Sequence, residues 1–167
     1  MSKRLHAYQI RKVCCLISLL LAPVLCQAQN AKVFAEELFH FHGRSEDDLH
    51  KQYIRLGEYL QFVDGIEPND TKRDHLKNAA LENYAARSEE FKKACIDLIA
   101  HLENWRNDEN IELQDVIEYK EEDGSQWVAW VLQGALSEQT ERFYFQLIPV
   151  PNGWRLADGF YIGGRPN

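Results

Sequence analysis

The apolar positions of this chain keep one period up to about residue 107 and another from residue 111 onward. Residues 31–107 repeat apolar side chains every three or four positions, as helices with one buried face do, whereas residues 111–162 alternate in twos, as half-buried strands do. The first helical stretch holds Val33 to Phe39 and is expected to break at Gly43, because glycine takes the positive φ that closes many helices. A second helix is expected from Ser45. Its hydroxyl is placed to cap, Glu46, Asp47 and Asp48 put negative charge at the positive end of the helix dipole, and Leu49, Tyr53, Leu56, Tyr59 or Leu60, and Val63 make one stripe. Asp64-Gly65 and Pro68 stop it. From Asp70 or Thr71 a long helical region carries Leu76, Ala80, Tyr84, Phe91, Cys95, Leu98, Leu102 and Trp105 on a near-continuous face. Its length predicts a division near Ser88, which can cap a new helix.

The first strand places Ile111, Leu113, Asp115, Ile117 and Tyr119 on one side and Glu112, Gln114, Val116, Glu118 and Lys120 on the other. Glu122-Asp123-Gly124-Ser125 turns the chain into Trp127 to Leu136, which is apolar on both faces and so belongs in the middle of a sheet. Phe143 to Val150 is the third strand. Pro151-Asn152-Gly153 leads to the fourth, Trp154 to Ile162, where Gly159 points to a bulge. Helices first and strands after, without alternation, predict a single α+β domain: N-terminal helices packed on a four-stranded antiparallel meander.

The first 28 residues follow neither pattern. Lys3, Arg4, Arg11 and Lys12 precede the apolar run Val13 to Leu25, and Cys26-Gln27-Ala28 ends it in the manner of a cleavable secretory signal. The run is about 13 residues long, against the roughly 20 that cross a bilayer. An exported protein, periplasmic in a Gram-negative cell, is the expectation. Leu25 stands where a lipoprotein signal carries a small residue before its cysteine, so attachment through Cys26 is not favoured and a soluble product is expected. Cleavage removes four of 19 basic residues and none of 26 acidic ones, which takes the formal charge from −7 to −11. Such a surface repels phosphate backbones and anionic lipid, so neither nucleic acid nor a membrane is expected as partner. Cleavage also leaves Cys95 without another cysteine to pair with, on a helix face with Phe91, Leu98 and Leu102 that marks it as a buried apolar residue.

Candidate chemistry lies where polar residues interrupt apolar strand faces. Asp115 falls between Leu113 and Ile117, and Asp158 follows Trp154 and Leu156 at the same parity, so both are expected to point where their neighbours are buried. A desolvated carboxylate is raised toward the range of a general base. The competing reading is an ordinary strand-end aspartate bonded to a turn or paired with Arg142 or Arg155. His40 and His42 point about 200° apart on a helix and cannot share an ion. The chain has no phosphate-binding glycine loop, no nucleophile elbow, no paired-cysteine metal site and no zinc-protease helix motif, so no metal or cofactor is called for.

Phe145-Gln146-Leu147, Asn152-Gly153-Trp154 and Leu156-Ala157-Asp158 at the end of a meander resemble the exported bacterial members of the nuclear transport factor 2-like superfamily, over about half of the chain left after cleavage. The helical half departs from that pattern in its longer helices and in having no recognisable short strand between them. The resemblance implies a strongly curved sheet that wraps the helices into a cone, used in different members as an enzyme pocket, a small-molecule site or merely a core. Isomerases and cyclases of this type work through a pocket carboxylate, and Tyr53 and Tyr84 are the implied partners of Asp115 or Asp158. Trp130, Phe145 and Trp154 are the candidates for a ligand wall, against the commoner role of such rings in a core.

Three functions remain open on the sequence. The first is a non-catalytic exported domain binding a small molecule or another protein, self-association into a homodimer included. The second is an isomerase- or cyclase-like enzyme, which requires Asp115 or Asp158 in an open pocket beside a second titratable group. The third is an acidic immunity or inhibitor protein against a basic toxin.

Overall fold

The computed structural model describes residues 30–108 and 110–164. Met1 to Ala28, expected from the sequence to be a secretory signal, lies outside them. The architecture is helices followed by one open sheet. Helix α1 (Ala31–Glu37) runs into a single π-turn (Leu38–His42), then come α2 (Glu46–His50), α3 (Leu56–Ile66) and α4 (Asp70–Asp108). Four antiparallel strands, β1 (Ile111–Lys120), β2 (Gln126–Gly134), β3 (Thr140–Val150) and β4 (Gly153–Ile162), pair in sequence order, so β1 and β4 are its edges. No described helix is long and apolar enough to cross a membrane.

The core forms where the helix stripes meet one parity of the sheet. Val128, Trp130, Leu132, Phe143, Phe145 and Leu147 alternate along β2 and β3, face the same side by their pairing, and join Ala35, Leu38, Phe91, Cys95, Leu98 and Leu102 in one buried cluster. Trp130 anchors it: its ring is fully buried, lies 4.9 Å from Phe145 and 5.5 Å from Phe39, and its indole N–H donates to the Ala35 carbonyl at 2.9 Å. Its one polar atom is thereby satisfied.

Three helical expectations are corrected. Gly43 has φ of −71°, so positive φ is not the reason for glycine there. A Cβ at this position would sit 2.7 Å from the Phe39 carbonyl oxygen, and only glycine fits the close return of the chain. Helix α4 is unbroken over 39 residues. Ser88 does not cap: its hydroxyl bonds His50 Nε2 at 3.1 Å, and the surrounding Ala85, Ala86, Arg87, Glu89 and Glu90 are mostly good helix formers. The stripe from Leu49 to Val63 is divided between α2 and α3, and Ser45 makes no side-chain cap bond. Between those helices Tyr53 pairs in parallel with Leu156 on the outer side of β4. Ile54 N–H donates to Leu156 O at 2.7 Å and Leu156 N–H to Gln52 O at 2.9 Å. Backbone groups that a helix would have satisfied internally are satisfied by the sheet edge instead, through this isolated bridge.

Both edge strands carry bulges. On β1, Leu113 opposes Leu132 and Asp115 opposes Val131, so Gln114 is the extra residue. On β4, Leu156 opposes Leu147 and Asp158 opposes Gln146, so Ala157 is extra, and Gly159 and Phe160 together oppose Phe145. A bulge reverses the parity of every side chain beyond it. Gly159 lies where β4 meets α4: a Cβ there would stand 3.0 Å from Ala94 Cβ.

Candidate ligand-binding cleft

The bulge at Ala157 directs Asp158 to the side of Gln146, away from buried Leu156, which corrects the expected parity. Asp158 thereby joins a cleft of about 560 Å³ bounded by α3, α4, the Tyr53 segment and β4. Tyr59 and Phe62 from α3, Phe91 from α4 and Phe160 from β4 give it aromatic walls, while Arg87, Glu90, Gln146 and Asp158 are polar groups around it. Asp158 Oδ1 accepts from the Gly159 N–H at 2.7 Å and from the Tyr161 hydroxyl at 2.9 Å. Tyr53 is stacked on Phe91 at 4.6 Å and lies 6.0 Å from Tyr84, whose hydroxyl donates to Ile54 O at 3.1 Å.

Burial pushes the Tyr53 hydroxyl up to about 12, with Tyr84 and Asp158 adding to it. The Tyr161 hydroxyl also reaches about 12, through burial first and its bond to Asp158 second. Both phenols therefore stay protonated at neutral pH, and the Tyr161 hydroxyl donates to Asp158. Of the titratable groups around the cleft, Asp158, Glu90 and Asp123 are acidic and Arg87 is basic, an excess of negative charge beside aromatic faces.

The structure thus brings together Asp158, Tyr53 and, behind Tyr53, Tyr84. Asp115 is elsewhere. The bulge at Gln114 turns it outward on β1, where its side chain is 56% exposed and paired with Lys32 Nζ at 3.0 Å. The Lys32 hydrogen bond holds its carboxyl below the usual range, the opposite of what a buried general base needs. Asp158 thus lines the cleft beside other titratable groups, and Asp115 does not.

Trp130 and Phe145, candidates for the ligand wall, are fully buried and belong to the core. Trp154 is 8% exposed and borders an adjacent recess of about 500 Å³ with Glu58, Phe62 and Pro149. Cys95 is buried as expected, and burial pushes its thiol up to about 12. No group of three or more metal-ligating side chains occurs among the described residues. Sequence reasoning missed Arg87, Glu90 and Tyr161. The spacing of Tyr84, Arg87, Glu90 and Phe91 at helical intervals was the available signal for the first two.

No family model matches this chain, and neither the characterised proteins nor the solved structures contain a match to it.

Proposed function

We propose that this chain is an exported, non-catalytic binding domain whose cleft between α3, α4 and β4 holds a small molecule with an apolar or aromatic body and a cationic end. The cleft carries the reading: aromatic faces line it, and Asp158, fixed by Tyr161, stands beside them with Glu90. Aromatic faces and carboxylates together favour an organic ammonium, through cation–π attraction and charge pairing. Export rests on the segment Met1 to Ala28.

Binding fits the geometry better than proton transfer. Asp158 Oδ1 already accepts two hydrogen bonds, and the neighbouring phenols stay protonated, so the polar groups hold and orient a ligand. Phenethylammonium and its neutral counterpart phenethyl alcohol, titrated against the protein by heteronuclear NMR, test the proposal. Saturable shifts at Tyr53, Gln146 and Tyr161 are expected, stronger for the cation and weakened by Asp158→Asn. Leu76→Trp at the cleft border should occlude both probes. Absence of binding by either probe overturns the reading.

A further inference from the structure

The described molecule has a second cleft of the opposite character, at the other edge of the sheet. It has a volume of about 540 Å³ and is lined by His40 on the π-turn, Arg44 in the following loop, Arg106 in the last turn of α4 and Ile111 to Leu113 at the start of β1. Its basic groups come from positions 40, 44 and 106 of a chain whose acidic residues outnumber its basic ones by 26 to 19.

Among the described residues, the one carboxylate that lines the cleft beside these groups is Glu112. Arg106 is half-buried, and its hydrogen-bond partner is the Gly43 carbonyl, met by Nη2 at 3.5 Å. Burial pushes its guanidinium down and the charge of Arg44 adds to this, while Glu103, one turn back on the same helix, acts the other way. Neither arginine forms an ion pair among the described residues. Two like charges near each other repel, and Arg106 is partly removed from water as well, so an anion beside both guanidinium groups relieves both terms. The local backbone enforces the meeting: the close return at Gly43, which admits no Cβ, leads directly into Arg44, and its carbonyl holds Arg106. The π-turn just before it presents His40, whose ring is set edge-on against Phe39 at 5.4 Å. Such turns occur often at functional sites.

We infer that this cleft binds the oxyanion of a small molecule carrying a short apolar body, a phosphate or carboxylate whose oxygens bridge Arg44 and Arg106 while its body lies on Phe39, Ile111 and Leu113. The guanidinium fork suits such an oxyanion by two parallel N–H···O bonds. The acidic balance of the chain as a whole, 26 acidic against 19 basic residues, favours a free ligand over an anionic lipid surface. Glu112, exposed on the rim, limits affinity and disfavours the most highly charged anions.

The test is calorimetric titration of the protein with n-hexyl phosphate and with inorganic phosphate, alongside co-sedimentation with phosphatidylcholine vesicles containing phosphatidylglycerol. Hexyl phosphate is expected to bind in the millimolar range or tighter and more strongly than inorganic phosphate. Arg44→Gln, an exposed position whose change leaves the core untouched, should weaken it about tenfold, the loss of one charge-assisted contact. Glu112→Gln should strengthen it. Vesicle binding that disappears with Arg44→Gln would reassign the oxyanion to a lipid headgroup and overturn the free-ligand assignment. Equal affinity of Arg44→Gln and the unaltered protein, or no saturable binding up to about 10 mM, would overturn the site itself.

Discussion

The two edges of the sheet use the same backbone device to opposite ends. At each, a bulge rotates an aspartate out of the parity of its apolar neighbours: Gln114 before Asp115 on β1, and Ala157 before Asp158 on β4. On β1 the rotated carboxylate meets water and Lys32. On β4 it meets Tyr161 and a cleft, because the Tyr53 segment and α4 pass beside that edge. A bulge only re-aims a side chain; what stands beyond the edge decides whether the result is surface or site. The difference extends to stability. The β4 edge is sealed by buried apolar residues and backbone pairing, the β1 edge near Asp115 by an exposed ion pair.

The largest expected effect is at the sealed edge. Leu156 is fully buried between β3 and the Tyr53 segment, so Leu156→Ala should lower stability by about 2–5 kcal/mol in urea denaturation. A loss of less than about 1 kcal/mol would mean that this edge is not part of the core.

Alkaline pH attacks the same edge next. Tyr53 and Tyr161 are raised to about 12 from an ordinary value of 10, so the native state holds both phenols protonated while the unfolded chain releases them. Their stabilisation is complete below pH 10 and lost as pH rises from 10 to about 12. Cys95, raised from 9 to about 12, acts with the same sign from pH 9 upward. Phenolate absorbance should therefore show a late-titrating fraction, coincident with falling thermal stability. A single transition at the ordinary tyrosine value would remove the burial of both residues from the picture.

Tyr84→Phe is a smaller probe, since it removes only the hydroxyl that bonds Ile54 O. The expected cost is about 1 kcal/mol. Its heteronuclear spectrum should change at Ile54 and Tyr53, and not on β1. At the foot of the scale stands Asp115→Asn, where an exposed pair with Lys32 is lost. The melting temperature should hardly move, and added salt should erase what difference remains. A large drop there would make the two edges equivalent.

The strand half was legible in detail because alternation over ten residues needs only a two-sided environment, and β1, β2 and β4 begin and end within a residue or two of where the pattern places them. What misled was counting. One extra residue in β1 and another in β4 inverted the predicted orientation of both aspartates, and nothing in Gln114 or Ala157 announces a bulge. Tyr53 and Tyr84 were legible as stripe residues, and their place beside Asp158 followed only once β4 captured the backbone of residues 52–54. Trp130 and Phe145 were legible as large rings, but their complete burial depends on α1 covering them, with Ala35 O taking the indole proton.

By itself the sequence determined the order of elements, the acidity, the burial of Cys95 and the central place of β2, because periodicity and composition are local or additive properties. The tertiary structure decided which charges meet. Asp158 joins Glu90 and Arg87 from α4, and Arg44 joins Arg106 from 62 positions away, because edge pairing, bulges and one close turn at Gly43 set positions that no window of neighbouring residues contains.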